Sequence, residues 1–165
     1  MLIEMHSPAF KIKGEERPPI TFDKGLNVVL GKNDGAMSIG KSSALLAIDF
    51  VFGGDTYIKS DGVRQEGDHT IYFTFKFNGE EHRFARNTGS ADKIYILDEN
   101  FGLTGDVYTK AEFTDWLKVQ YGIDFVGLSF RTTLSSFFRI YGKENTDERR
   151  PLRGIPGQDM EKSIN

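Results

Sequence analysis

Between Gly35 and Ser42 the chain reads Gly35-Ala-Met-Ser-Ile-Gly40-Lys41-Ser42, two glycines five positions apart, then at once a lysine and a hydroxyl. Each residue type at that spacing suits one task on a polyphosphate. Glycines let the backbone curl tightly enough for its N–H groups to reach phosphate oxygens. The ammonium of Lys41 is placed to offset charge on the β- and γ-phosphates, and the Ser42 hydroxyl to meet a Mg²⁺ ion. The residues expected to hold a nucleotide are Gly35, Ser38, Ile39, Gly40, Lys41, Ser42 and Ser43. Lys41 is the catalytic charge among them and Ser42 the metal ligand, with ATP and Mg²⁺ as the expected cofactors.

Eight residues of pattern carry weight only between a strand and a helix. Leu26-Asn-Val-Val-Leu30 is a compact branched run of the kind buried on both faces of a sheet, and it leads into Gly31. Ser42-Ser-Ala-Leu-Leu-Ala-Ile-Asp-Phe-Val-Phe52 is apolar nearly all round and stops at Gly53-Gly54, which predicts a buried helix of about three turns. A helix beginning there directs its positive end at the same anions.

The other elements form a supporting frame. Leu2 to Met5 predicts a first strand, Lys11 to Pro19 a hairpin tip or loop, and Ile20 to Phe22 a strand closed by the turn Asp23-Lys-Gly25. Residues 71–77 and 81–86 alternate apolar and polar around Asn78-Gly79, a strong hairpin signal. Ile94 to Leu97 adds a third strand to this antiparallel sheet. Thr109-Lys-Ala-Glu112 is a capping box opening a helix with Phe113, Trp116, Leu117 and Tyr121 on one side and Gly122 at its end. Leu128 to Ile140 is a second apolar stretch with helical character. Residues 1–143 are therefore expected to form the folded part, and 144–165 a polar, flexible segment.

Composition narrows the classes. The 165 residues suffice for one core, and 38% hydrophobic with 27% charged residues is ordinary for a globular protein. The absence of cysteine excludes disulfides and thiolate metal sites. A net charge of -3 argues against a surface uniformly basic for nucleic acid, and no stretch approaches the length of an apolar membrane span. Met1-Leu-Ile-Glu4 lacks the basic start of a secretion signal, so the cytoplasm is the expected compartment and no membrane partner is expected.

Beyond the eight residues, Gly25-Leu-Asn-Val-Val-Leu-Gly31 and Gly40-Lys-Ser-Ser-Ala-Leu-Leu-Ala-Ile-Asp49 resemble the N-terminal half of the ATPase head of SMC-like proteins. These belong to the ABC-type ATPases and include chromosome-maintenance and DNA-repair proteins. Ser38-Ile-Gly-Lys-Ser, Ile48-Asp-Phe-Val-Phe-Gly-Gly-Asp55, Leu128-Ser-Phe-Arg131 and Arg139-Ile-Tyr-Gly-Lys143 look like a bacterial group of such ATPases linked to multi-component defence or mobile-element loci. The resemblance covers residues 1 to about 153. It implies an α/β P-loop NTPase fold, the N-terminal lobe of an SMC-like head, with a mixed central sheet and an antiparallel side subdomain. It also implies ATP-dependent engagement with a second ATPase head, a homodimer or a C-terminal lobe of the same family, and action of the full assembly on DNA.

SMC-type loops read G-x-N-G-x-G-K-S directly after the strand. Aligned on Lys41, this chain has Met37 for the asparagine and Ser38 for the middle glycine, with four residues added after Gly31. The enlarged segment 32–38 is expected to be mobile without nucleotide and to tighten when Mg·ATP binds.

Other parts of the family pattern are absent. There is no L-S-G-G signature. Leu128-Ser-Phe-Arg131 starts like one but lacks the glycines and precedes the expected coiled-coil insertion. Glutamine is scarce where a glutamine loop belongs: Gln65 lies in a polar loop and Gln120 inside the capped helix. Ser129, Arg131 or a water are the candidate substitutes for that ligand. Ile94-Tyr-Ile-Leu-Asp98-Glu99 fits the hhhhDE pattern, with Asp98 behind magnesium and Glu99 as general base. The same residues also read as a strand entering a turn, because they follow a hairpin and precede a capped helix.

His6, His69 and His82 show no metal spacing and read as surface or strand residues. Arg131, Arg139, Lys143, Arg149, Arg150 and Arg153 thicken toward the end but are interleaved with acids. Two rivals stand beside the ATPase lobe, which by itself is expected to turn over weakly or not at all. One is a self-contained P-loop kinase or phosphohydrolase using Asp98 and Glu99; the other is a nucleotide-sensing interaction module that does not hydrolyse.

Overall fold

A computed structural model describes residues 1–12, 14–28, 38–123 and 129–135. The chain divides into two compact units, Met1–Thr114 and Asp115–Asn165. The boundary expected at residue 143 lies outside the described residues.

The first unit is built on a six-stranded sheet. Its strands are β1 (Leu2–His6), β4 (Ile20–Thr21), β5 (Thr70–Phe77), β6 (Glu80–Asn87), β7 (Lys93–Leu97) and β8 (Leu103–Thr109), in the order β4-β1-β5-β6-β7-β8. Every pairing is antiparallel. β2 (Lys11–Ile12) and β3 (Glu15–Glu16) make the small hairpin expected between β1 and β4. Four helices are described: α1 (Ser38–Val51), α2 (Asp61–Glu66), α3 (Lys110–Tyr121) and α4 (Phe130–Ser135).

The central hairpin follows from its turn. Asn78 and Gly79 both have positive φ, 51° and 91°, as a two-residue turn matched to strand twist requires. The register then runs unbroken from Phe77↔Glu80 to Thr70↔Asn87. This phase puts Ile71, Phe73, Phe75 and Phe84 on one face, all buried. Phe113, from the start of α3, seats its ring against Phe73, Phe75 and Phe84, with centroids 6.1, 6.3 and 5.2 Å away. In β1 a bulge between Leu2 and Glu4 brings Leu2 opposite Phe75, so Leu2 and Met5 share the buried face although three positions apart.

Helix α1 starts four residues before the apolar run suggested. Its second half is buried through Ala47, Ile48, Phe50 and Val51, while Ala44, Leu45 and Leu46 are half-buried. It ends in a Schellman arrangement: the Gly53 N–H donates to Phe50 O and the Gly54 N–H to Asp49 O, with Gly53 at φ +89°. Gly54 is required by space, since a Cβ there would lie 2.8 Å from the Asp49 backbone carbonyl oxygen as well as against its carboxylate.

Three sequence expectations need correction. Leu26 to Val28 form no strand, and Leu26 and Val28 are 89% and 63% exposed. A strand buried on both faces needs neighbours on each side, and none among the described residues pairs with this run; Val29 and Leu30 lie outside them. Accordingly, no parallel pair and no mixed sheet occurs among the described residues, and an antiparallel sheet does not by itself define a P-loop NTPase. Gln65, expected in a loop, lies on α2, whose N-cap Ser60 accepts from the Val63 N–H. β8 had no counterpart in the sequence reading.

In the second unit, α3 ends at Gly122 (φ 65°) as expected, with Gly122 N–H to Val119 O and Ile123 N–H to Lys118 O. Leu117 is buried. Tyr121 packs against Phe130 of α4 at 6.3 Å. Residues 136–165, including Arg139, Lys143, Arg149, Arg150 and Arg153, lie outside the described residues.

Where α3 begins, the capping box forms as its sequence specifies. The Glu112 carboxylate accepts from the Thr109 N–H (2.7 Å) and hydroxyl (2.8 Å), while the Glu112 N–H donates to the Thr109 hydroxyl. These bonds hold the Glu112 carboxyl below its ordinary range.

Candidate functional site

Gly35 and Met37 lie outside the described residues. Ser38, Ile39, Gly40, Lys41 and Ser42 form the opening of α1, where the first N–H groups of a helix have no intrahelical acceptor. The side chains of Lys41 and Ser42 lie outside what is described; Ser43 follows on the helix, half-buried. No acidic residue occupies the first turn, so no carboxylate on it competes with an anion for those donors.

The other end of α1 is held by a residue that sequence reasoning missed. Arg86 of β6 points into the core and is fully buried. Its Nη1 donates to Phe50 O (2.5 Å) and Gly54 O (2.8 Å), its Nε to Ala91 O (2.7 Å), and its Nη2 to Asp55 Oδ1 (3.0 Å). The guanidinium also lies over the Phe50 ring, 4.0 Å from its centroid. α1 has no basic residue in its own last turn, so Arg86 supplies the cation that a helix C-terminus favours. One signal was available: Arg86 shares the strand phase of Phe84, an ion in an apolar register.

Asp55 extends this contact to α3. Its Oδ2 accepts from Lys110 Nζ at 2.8 Å, and Lys110 also meets Asp92 at 3.3 Å. Partial burial raises the Asp55 pKa, but the Lys110 bond and the charges of Lys110 and Arg86 outweigh it and hold the carboxyl below 3.8. Lys110 is raised in turn, chiefly by its bond to Asp55. A carboxyl with a depressed folded pKa stabilises fully above its unfolded value and loses that contribution as pH falls through the folded one. Acid titration from pH 5 downward should therefore cost wild type about 0.2–1 kcal/mol more than Asp55→Asn, the range for partly exposed pairs. Chemical denaturation of both proteins across that range measures it, and parallel curves would remove the coupling.

His69 also differs from its sequence reading: it is a buried residue, not a surface one. Its Nδ1 pairs with Gly67 O (2.8 Å) in the turn before β5 and its Nε2 with the hydroxyl of Tyr57 (2.9 Å), on the short 3₁₀ turn Thr56–Lys59, so both ring nitrogens have partners. Burial, with the nearby Glu66 charge, pushes Tyr57 up to about 12. His6 is a strand residue stacked on Tyr72 at 5.1 Å. Among the described residues no group of three acidic or histidine side chains is placed to hold a metal ion.

The Asp98-Glu99 pair sits in the β7–β8 turn. Asp98 Oδ1 accepts from the N–H groups of Asn100 and Gly102, both at 2.8 Å, so that oxygen is committed to its own turn. The turn carries Phe101, at φ 60°, onto the sheet face away from α1, beside His6 (5.6 Å), Tyr72 (6.4 Å) and Arg83 (5.6 Å). Glu99 is exposed at the tip. The strand-and-turn reading fits this geometry better than a magnesium ligand followed by a base. Glu99→Gln is accordingly expected to leave nucleotide affinity and any residual turnover unchanged. A fall in kcat of about 10²-fold or more, the loss expected for a general base, would restore the catalytic reading.

Gln120 lies on α3 as expected. Ser129 immediately precedes α4, and Arg131 lies on it, half-buried. No family model, curated protein or solved structure matches the chain. Among the described residues no helix is long and apolar enough to cross a membrane.

Proposed function

We propose that this chain is the ATP-binding N-terminal lobe of an SMC-like ATPase head. One observation carries the reading: the complete G-x-x-x-x-G-K-S run places Gly40, Lys41 and Ser42 in the opening of a helix without acids in its first turn. That juxtaposition suits polyphosphate, because first-turn N–H groups without an intrahelical acceptor, a lysine and a hydroxyl able to bind magnesium follow one another in sequence where a helix is positive. On this reading the P-loop NTPase fold is completed by a partner lobe whose strands flank residues 26–30, giving the exposed Leu26 and Val28 neighbours. ATP with Mg²⁺ promotes engagement with a second head, and the cytoplasmic assembly acts on DNA in repair, maintenance or defence. The chain alone binds nucleotide and turns it over poorly.

Isothermal titration of the chain with Mg·ATP, repeated with magnesium chelated, tests the proposal. One saturable site that weakens without magnesium is the expected result. No heat at millimolar ATP would overturn it, and rapid multiple turnover by the isolated chain would favour a self-contained kinase or phosphohydrolase.

A further inference from the structure

We infer that Arg86 is a positioning residue for the nucleotide site, acting through the length of α1; this deepens the proposed function and rests on it. The helix runs fourteen residues from the phosphate-loop end to Val51, a span of about 21 Å. In its first half the described side chains, Ser43 and Ala44, are half-buried, whereas its far end packs Ala47, Ile48, Phe50 and Val51 into the core and is bonded there by one guanidinium. Arg86 bonds two carbonyls on either side of the helix terminus, Phe50 O and Gly54 O, and a third, Ala91 O, in the turn before β7. Phe50 beneath the guanidinium plane and Asp55 at its edge remove its freedom to tilt. A planar fork fixed on five sides sets both the axial position and the rotation of α1 relative to the sheet. The first-turn N–H groups move with the helix as a rigid rod, so a slip at the gripped end is delivered to the phosphates.

Lysine keeps the charge but has one donor centre in place of a fork. Arg86→Lys should therefore preserve the fold while letting the helix shift. A shift that weakens one charge-assisted bond to a phosphate by about 1.4 kcal/mol lowers affinity about tenfold, and a loss of Mg·ATP affinity of about that size is expected here. Leu97→Ala serves as the comparator, because Leu97 is buried on the sheet face opposite α1 and its loss destabilises without touching the helix. At equal melting-temperature loss, Leu97→Ala should bind Mg·ATP within about twofold of wild type, a change of about 0.4 kcal/mol.

Should Arg86→Lys fail to fold, Asp55→Asn loosens the same fork from its half-exposed edge, and about threefold weaker binding is expected. Equal affinity in wild type and in the folded Arg86 variant, or in Asp55→Asn where that variant is used, would overturn the positioning role alone. So would equal affinity losses in Arg86→Lys and Leu97→Ala. Wild-type protein that binds no nucleotide would overturn the underlying nucleotide reading as well.

Discussion

Replacing Lys41 with alanine is expected to abolish measurable Mg·ATP binding while leaving the fold intact. The lysine is the one side chain of the run that carries full positive charge, and its partners would be the most highly charged oxygens of the ligand. Hydrogen bonds between charged groups contribute about 1.5–3 kcal/mol each, and each 1.4 kcal/mol is about a factor of ten in affinity. A lysine meeting two phosphates thus accounts for roughly 10²-fold or more. Alanine is the best helix former, so the opening of α1 loses no propensity by the change. Calorimetry reads the affinity and circular dichroism the fold. Equal affinity in both proteins would place the nucleotide elsewhere or nowhere.

Phe73→Ala should give the largest loss of stability from a single truncation, about 3–5 kcal/mol. Phe73 is fully buried and lies within 5.7–6.1 Å of the rings of Phe84, Phe75 and Phe113. Emptying that position leaves a void bounded by two strands and α3, where rigid rings cannot collapse into the gap. Against a typical total of about 5–15 kcal/mol, such a loss approaches unfolding. Leu103→Ala, at a position 70% exposed, should change stability by about 0.5 kcal/mol or less. Urea midpoints of the two variants make the comparison. A loss below about 1 kcal/mol at Phe73 would mean that the aromatic cluster does not form the core.

The hairpin, the helix after the glycine run and the capping box were legible because each is coded locally. Asn78-Gly79 dictates a turn and Thr109 to Glu112 a cap, while two glycines end α1, Gly53 through its positive φ and Gly54 through a close approach to Asp49. What escaped depends on distant chain. β8 is polar and exposed, with Gly105 at φ +95°, so it shows no apolar alternation. Residues 104–106 bulge opposite Ile96 alone, an arrangement imposed by pairing with β7. Leu26 and Val28 looked buried because apolar branching was read without asking which strands would cover them. Arg86 read as an ordinary strand arginine because its partners, the carbonyls of Phe50 and Gly54, carry no side-chain signature. At the candidate site the residue types were legible, and the device fixing the far end of the helix was not.

The pairing of β1 with β5 bears on how this chain tolerates changes of length between β4 and α1. The Ser7 hydroxyl donates to Thr70 O at 2.6 Å across 63 positions of sequence, and everything from the small hairpin to α2 is enclosed in that excursion. Closing a chain loop costs entropy that grows only with the logarithm of its length, about 0.6 kcal/mol per doubling. Adding four residues to that excursion therefore costs less than about 0.1 kcal/mol in closure. The segment between β4 and α1 can be lengthened or shortened almost without thermodynamic consequence, provided β1 still finds β5. The cost falls on contact order instead: the meander β5–β8 is joined by local turns, whereas the β1–β5 pairing spans the whole excursion, the kind of non-local contact that slows folding.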